Sequence, residues 1–124
     1  MGLPTSLETT PFVSEISVDQ SGNRILVGPG GPLLDGELHQ LAAGTGQMGG
    51  AAVIDVFGVS RYTANGRGLS VTNADGSSGA SALRYGLYGS ADANFVTAGG
   101  TLAVSPDLKT LAVATDRGVE LIHR

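Results

Sequence analysis

The stretch LAVSPDLKTLAVATDRGVELI, residues 102–122, decides the fold class of this chain. Apolar residues alternate in it with polar or small ones, which is typical of β-strands, and two groups of turn-forming residues interrupt the alternation. The segment SPDLK suits a type I turn with Pro106 at its second position. The segment TDRG suits a hairpin loop in which Gly118 takes a positive φ. The stretch therefore predicts three strands joined by two tight turns.

Both faces of this predicted sheet carry small or apolar side chains. Leu111 and Val113 share one face, while Thr110, Ala112 and Ala114 share the other. A sheet without a polar face is expected to be covered on both sides. The residues that we expect in the core of this stretch are Val104, Leu111, Val113, Val119 and Leu121.

The rest of the chain also has the composition of short strands. Strand-like segments, separated by stretches rich in Gly, Asn, Asp and Ser, occupy residues 12–18, 24–27, 51–57, 69–72 and 82–88. Residues 33–43 favour strand or irregular structure, with a short helix as the alternative, because Gly36 would cost a helix about 1 kcal/mol. Roughly ten short strands with frequent turns predict an all-β fold of short antiparallel strands.

The chain is long enough for one domain. Its 124 residues fit a single hydrophobic core of modest size. We expect residues 1–11 to form an extended N-terminal arm, because Pro4 and Pro11 fix φ there, and residues 12–124 to form a single β domain. The first residues lack the basic and apolar regions of a signal peptide, and no apolar run approaches the ~18 residues of a membrane span.

Charge is scarce on this chain, and its balance is negative. Charged residues make up 15% of the chain, and the net charge is −4. Lys109 is the only lysine, and the arginines are scattered along the sequence without a cluster. That pattern argues against nucleic acid and against anionic membranes as partners, because both attract concentrated positive charge. A surface with so little charge favours burial against other chains, so we expect a homo-oligomer, and specifically a trimer.

A repeated pattern predicts a modular architecture. The segments DQSGNRILVG, TANGRGLSVT and SPDLKTLAVA each run from turn residues to Leu or Ile, then one further residue, then Val. The aligned valines are Val27, Val71 and Val113. They recur about every 43 residues, which falls within the ~40–45-residue period of propeller blades.

Residues 102–122 also resemble a known family. VSPDLKTLAVATDRGVELI is similar to a blade of WD-repeat or YVTN-type β-propellers, whose usual form is V-S-P-D-G-K-x-L-A-V followed by D-x-G-x-V-x-L. Leu108 stands where the family has Gly, and the chain has no Trp-Asp or Gly-His pair. The resemblance implies propeller-blade-like repeats, and since a ring needs at least about four blades, it implies completion by oligomerisation. A small β-sandwich or barrel is the alternative architecture.

Two kinds of loop match ligand-binding motifs only in part. GTGQMG, residues 44–49, spells the G-x-G-x-x-G fingerprint, but a strand-like stretch follows it instead of the helix whose N–H groups would bind pyrophosphate. Two further loops carry side chains with oxygen atoms that could bind calcium, but these side chains are too few for a calcium-binding loop. They are Asp19, Ser21, Asn23, Asn73 and Asp75. We interpret both motifs as turns.

No catalytic, cofactor-binding or metal-binding residue is predicted. His39 and His123 are the only histidines and lie in unlike contexts, and the chain has neither cysteine nor a nucleophile motif. The tyrosines that could line an aromatic contact surface, or more commonly seal the sheet edges, are Tyr62, Tyr85 and Tyr88.

These observations predict a non-catalytic structural protein, a β-rich subunit of a larger oligomeric assembly. A short, weakly charged, cysteine-free chain with an extended arm is similar in layout to small virion decoration proteins. That likeness implies a capsid decoration or tail component that docks on a larger protein lattice. The alternative is a propeller-repeat scaffold or lectin-like binding module that oligomerisation completes.

Overall fold

Three antiparallel sheets make up the fold. The computed structural model describes Pro4, Ser6 and residues 15–45, 50–78, 83–92 and 102–124. Sheet I has the order β1 (Glu15–Val18), β2 (Ile25–Gly28), β3 (Leu33–Leu34) and β4 (Gln40–Ala42). Sheet II has the order β5 (Ala51–Ile54), β6 (Ser60–Asn65), β7 (Gly68–Asn73) and β8 (Leu83–Gly86). Sheet III consists of β9 (Leu102–Val104), β10 (Thr110–Thr115) and β11 (Gly118–His123), with β10 in the middle.

Sheet II packs between sheets I and III, and a separate apolar cluster fills each gap. The cluster between sheets I and II consists of Leu26, Leu33, Ala52, Ile54 and Ala74. The cluster between sheets II and III consists of Ala51, Tyr62, Ala64, Leu69, Val71, Leu87, Ala91, Leu102, Leu111 and Val113. Most of these side chains are small or medium in size, so the core consists of close-packed sheet faces with a single buried phenol.

Polar contacts hold the same two gaps together. Across the first gap, the Ala52 N–H donates to Glu15 Oε1 at 2.7 Å and the Ile54 N–H donates to Ser17 Oγ at 2.9 Å. Across the second gap, the loop after β8 is bound to sheet III, because the N–H groups of Tyr88 and Gly89 both donate to the Glu120 carboxylate. Such charge-assisted bonds fix the position of one sheet on the next.

The first two strands of every sheet are joined by the same turn. It begins at Asp19 in sheet I, at Asp55 in sheet II and at Ser105 in sheet III. The carbonyl of that first residue accepts a hydrogen bond from the N–H three residues later, at 3.2, 3.1 and 2.9 Å respectively. The side-chain oxygen of the same residue accepts from the N–H that opens the second strand, at 3.2, 3.2 and 3.0 Å. Asp and Ser are well suited to this position because a short side chain with an oxygen acceptor reaches its own turn.

The fourth residue of each turn has a left-handed backbone. Gly22 and Gly58 have φ values of +78° and +72°, and Leu108 has a φ of +63°. Glycine adopts this conformation without steric cost, whereas leucine does not. The glycine of the propeller motif that Leu108 replaces therefore corresponds to a left-handed position in this chain.

The predicted alignment of the repeat is wrong in sheet II. Val27 in β2 and Val113 in β10 both lie on the second strand of their sheets, but Val71 lies on β7, the third strand. The equivalent positions begin instead at the turn residues Asp19, Asp55 and Ser105, which are unevenly spaced. Hairpins of similar composition allow an alignment that is displaced by one strand, and the apparent constant period follows from that displacement.

The all-β prediction is confirmed, and most of the predicted strands are present. The strand predicted over residues 51–57 ends at Ile54, because a turn begins at Asp55. Strand β6 was not predicted, and the helix alternative for residues 33–43 is wrong because β3 and β4 occupy that range. The described residues contain no α-helix, and none of them belongs to a helix long and apolar enough to span a membrane. The arm at residues 1–11, apart from Pro4 and Ser6, and the start of the predicted strand at residues 12–14 lie outside the described residues.

The predicted core of residues 102–122 is correct for one face of the sheet only. Leu111 and Val113 are fully buried, and Val104 is half-buried against the same cluster. Val119 and Leu121, however, are 74% and 58% exposed. The register explains this result, because Leu111 pairs with Ile122 and Val113 pairs with Glu120, so Val119 and Leu121 lie on the opposite face.

Candidate functional site

Each sheet has a forward face, toward the next sheet in the chain, and a backward face, toward the preceding one. Relative to the shared turn, Leu26, Tyr62 and Ala112 occupy the same forward position. Leu26 packs in the cluster between sheets I and II, and Tyr62 packs in the cluster between sheets II and III. Ala112, on sheet III, has no following sheet among the described residues.

The forward face of sheet III is an exposed apolar surface. Ala112 pairs with Leu121 on one side and with Ala103 on the other, and Ala114 pairs with Val119. Directly paired residues project from the same side of an antiparallel sheet, so these five side chains form one continuous surface. An exposed apolar surface of this kind commonly marks a place where another protein surface packs.

The backward face of sheet I is apolar, and it is exposed along β1. Ile16 and Val18 on β1 are 62% and 53% exposed, whereas Val27 and Leu34, which lie on the same face of β2 and β3, are buried. Leu41, in the bulge of β4, is 45% exposed. The residues equivalent to Ile16 and Val18 in sheet II are Ala52 and Ile54, which are buried against sheet I. The two ends of the three-sheet unit thus repeat the surfaces that pack together inside it.

A third surface feature is a cleft on the backward face of sheet II, which we call the arginine cleft. It has a volume of about 710 Å³. Pro29 and Thr45, from the segments that follow β2 and β4, line one side of it. The polar lining from sheet II consists of Arg61, Thr63, Asn65, Arg67, Ser70, Thr72 and Arg84. The strand register aligns most of these side chains in two rows across the sheet, with Arg61 opposite Thr72, and with Thr63 opposite Ser70 and then Arg84.

Arg61 is the most unusual residue of the arginine cleft. Its side chain is only 4% exposed, and its Nε and Nη2 atoms have no hydrogen-bond partner among the described residues. Burial lowers the pKa of the Arg61 guanidinium, while the negative charge of Asp75 acts in the opposite direction. Gly76, with a φ of +87°, allows the backbone to approach Arg61, because a Cβ there would lie 3.3 Å from Nη1.

The carboxylate of Asp75, whose charge acts on Arg61, already accepts hydrogen bonds from another residue. It accepts hydrogen bonds from the Ser77 hydroxyl at 2.6 Å and from the Ser77 N–H at 2.9 Å, and these bonds lower the pKa of Asp75. In the part of the chain that the structure describes, no carboxylate oxygen lies within 4.0 Å of a cleft guanidinium. The positive charge of the arginine cleft is therefore left without a direct ion-pair partner there.

The candidate ligand loops behave as turns. Asp19 and Ser21 bond to each other at 2.9 Å and to the backbone of their own turn, and Asp75 does the same with Ser77. Across the described ranges no group of three His, Asp or Glu side chains could hold a metal ion. Of the fingerprint at residues 44–49, residues 46–49 lie outside the described residues, and strand β5 follows from Ala51.

The histidines and tyrosines do not form a common site. His39 is exposed and bonds to Asp35 at 3.2 Å, whereas His123 lies at the end of β11 in another sheet. Tyr62 is fully buried, and its hydroxyl accepts a hydrogen bond from Arg124 Nη1 at 3.0 Å, whereas Tyr88 is 80% exposed. A shared aromatic contact surface is therefore the wrong interpretation for these residues.

The arginine cleft is not evident from the sequence, because only the pairing of β6, β7 and β8 brings Arg84 to the face that carries Arg61. A signal for it is nevertheless present in β6, whose sequence SRYTAN alternates polar residues with Tyr62 and Ala64. That alternation puts Arg61, Thr63 and Asn65 on one face of the strand.

No protein-family model matches this chain, and no curated protein matches it significantly. The features of this chain that bear on function are the two outer sheet faces and the arginine cleft.

Proposed function

We propose that this chain is a non-catalytic structural subunit that assembles by packing the forward face of sheet III on the backward face of sheet I in a second copy. The observation that carries the proposal is the repetition of packing within the chain. Forward faces cover backward faces at both internal gaps, and at each end an exposed apolar patch remains on the outer face. A second copy offers the complementary face at each end.

The chemistry of the two exposed faces supports this pairing. The forward face of sheet III carries small alanines flanked by Val119 and Leu121, and the backward face of sheet I carries the larger Ile16 and Val18 on β1. Small side chains opposite larger ones allow two sheets to pack closely, as Ala52 does opposite Leu26 within the chain. Burial of such surfaces would stabilise the assembly by about 25 cal/mol for every Å² of apolar area removed from water.

Pairing of unlike faces closes into a ring if the rotation between copies permits it, and otherwise forms a filament. Two copies would supply about six sheets, within the roughly four to eight blades of closed propellers. The sheet number therefore favours a dimer over the trimer expected from composition. A ring would also leave fewer exposed faces on which further chains could aggregate.

Within this proposal, a capsid decoration or tail component is the setting favoured by the composition and layout of the chain. The alternative, a propeller-repeat scaffold or lectin-like module, would use the same two faces to complete its ring. The two settings differ in what the assembled subunit binds, and the pairing of the faces is common to both.

The proposal is tested by placing a charge on one exposed face. We expect Val119→Lys to convert the oligomer into a monomer in size-exclusion chromatography with light scattering, because a buried lysine at an apolar interface lacks a partner. Val59→Lys is the matched control, since Val59 is 64% exposed but lies in the loop between β5 and β6. A wild-type chain that is monomeric at micromolar concentration would refute the proposal.

A further inference from the structure

The burial of Arg61 lowers the stability of the fold unless a ligand or another group binds its guanidinium. A buried guanidinium loses its hydration, and this loss is ordinarily compensated by an ion pair or by hydrogen bonds to most of its N–H groups. The Nε and Nη2 atoms of Arg61 have no such partner among the described residues, although the side chain is only 4% exposed. Because both atoms are also closed to solvent, a ligand with oxygen acceptors supplies the missing bonds when the Arg61 side chain turns toward the cleft.

The residues around Arg61 provide the groups that such a ligand needs. Arg67 and Arg84, both exposed, add two guanidinium groups to the same cleft. Thr63, Ser70 and Thr72 add hydroxyls, which can donate to or accept from a polar ligand. Guanidinium groups bind phosphate and sulfate oxygens through paired N–H donors, so three of them around one cavity favour an oxoanion.

The positive charge of the arginine cleft is local, because the whole chain has a net charge of −4. The chain has few positively charged side chains, and three of them line this one cleft: Arg61, Arg67 and Arg84. The row of hydroxyls and the cavity volume of about 710 Å³ indicate a ligand larger than an inorganic ion, since pockets for small organic ligands measure ~300–1,000 Å³.

We propose that the arginine cleft binds the phosphate or sulfate group of a small hydroxyl-rich molecule, such as a sugar ester. Arg61 contacts the oxoanion from the floor of the cleft, and Arg84 and Arg67 contact it from the rim. The hydroxyls of Thr63, Ser70 and Thr72 face the hydroxyl groups of the ligand. This site lies mainly on sheet II, and its lining includes none of the exposed apolar residues on the outer faces of sheets I and III.

The experiment measures binding of four probes to the full chain: glucose 6-phosphate, inorganic phosphate, inorganic sulfate and glucose. Thermal shift and calorimetry are recorded at constant ionic strength in chloride. We expect the three oxoanions to raise the melting temperature of the wild type, with the strongest effect from glucose 6-phosphate, and glucose alone to have none. A phosphate preference and a sulfate preference both support the proposal and distinguish the two ester classes.

Three variants assign the effect to the cleft. We expect Arg84→Gln to weaken glucose 6-phosphate binding about tenfold or more, as is typical for loss of a charged hydrogen bond, with no change in the melting temperature of the free chain. The matched control is Arg117→Gln in the turn between β10 and β11, which removes the same charge outside the cleft and should bind normally.

Arg61→Met distinguishes a binding residue from a structural one. If Arg61 serves the ligand, Arg61→Met removes an unpaired buried charge, so the free chain should be at least as stable as the wild type and should no longer be stabilised by oxoanions. The proposal is overturned if no oxoanion stabilises the wild type beyond chloride, if glucose stabilises it as strongly as its phosphate, or if Arg84→Gln and Arg117→Gln bind equally well.

Discussion

Gly118→Val tests the backbone of the last hairpin. Gly118 has a φ of +107°, outside the range that a β-branched residue adopts without strain. A Cβ at this position would have no heavy atom within 4 Å, so steric contact with other residues contributes nothing and only the backbone conformation is tested. Strain of this kind costs about 1–3 kcal/mol.

For a chain of this size, each kcal/mol lowers the melting temperature by roughly 4 °C, so Gly118→Val should lower it by about 4–12 °C. The matched control is Gly86→Val in β8, where a Cβ also has no neighbour within 4 Å and φ is not in the left-handed range. We expect the control to change the melting temperature little, because valine suits a strand. Thermal unfolding followed by circular dichroism measures both variants. Equal melting temperatures for the two would refute the assignment of strain to Gly118.

Two further predictions concern the turns and the acid response. Leu108→Gly should raise the melting temperature by a few degrees in the same assay, because it removes a left-handed leucine that costs about 1–2 kcal/mol and that sheets I and II avoid with glycine; a lower value would mean that the packing of the Leu108 side chain outweighs its strain. The backbone N–H groups of Tyr88 and Gly89, together with the Thr115 hydroxyl, lower the pKa of Glu120 from its ordinary value of 4.5. The unfolded chain therefore binds the proton more tightly, and this contribution to stability is present above pH 4.5 and is lost as the pH falls through the lowered pKa. Melting temperatures between about pH 6 and pH 3 should accordingly fall less steeply for Glu120→Gln than for the wild type, and parallel curves would contradict the assignment.

The turns were the most predictable part of this fold. The turn that begins at Ser105 and the left-handed Gly118 both follow from local chemistry, in which a short side-chain acceptor or a missing Cβ decides the conformation. Local rules of this kind do not depend on what packs against the turn. They identified the turns that begin at Asp19 and Ser105, but the turn at Asp55 was missed because residues 51–57 were predicted as one strand.

Strand β6 was harder to predict for a reason connected with the cleft. Tyr62 and Ala64 face the core, but Arg61, Thr63 and Asn65 face the arginine cleft, so the strand lacks the apolar character of its neighbours. A strand whose outer face is polar resembles a loop in composition, although its alternation has a period of two. Omitting β6 also displaced the alignment of the repeat in sheet II by one strand.

The exposure of Val119 and Leu121 could not be derived from their composition. Both residues have the pattern of a core strand, and only the register with β10 shows which face of β11 points inward. The same limitation applies to the arginine cleft, because Arg84 joins Arg61 through the pairing of β6, β7 and β8. Contacts between residues distant in sequence depend on register, which composition does not encode.

The central claim, that unlike faces of two copies pair, is tested most directly by mixing two defective chains. Val119→Lys disables the forward face of sheet III, and Ile16→Lys disables the backward face of sheet I, where Ile16 is 62% exposed. Each variant alone should be monomeric by light scattering, whereas an equimolar mixture should form a complex of one copy of each, because each chain retains the face that the other requires. If Ile16→Lys alone keeps the wild-type mass, or if the mixture remains monomeric, the pairing of unlike faces is contradicted.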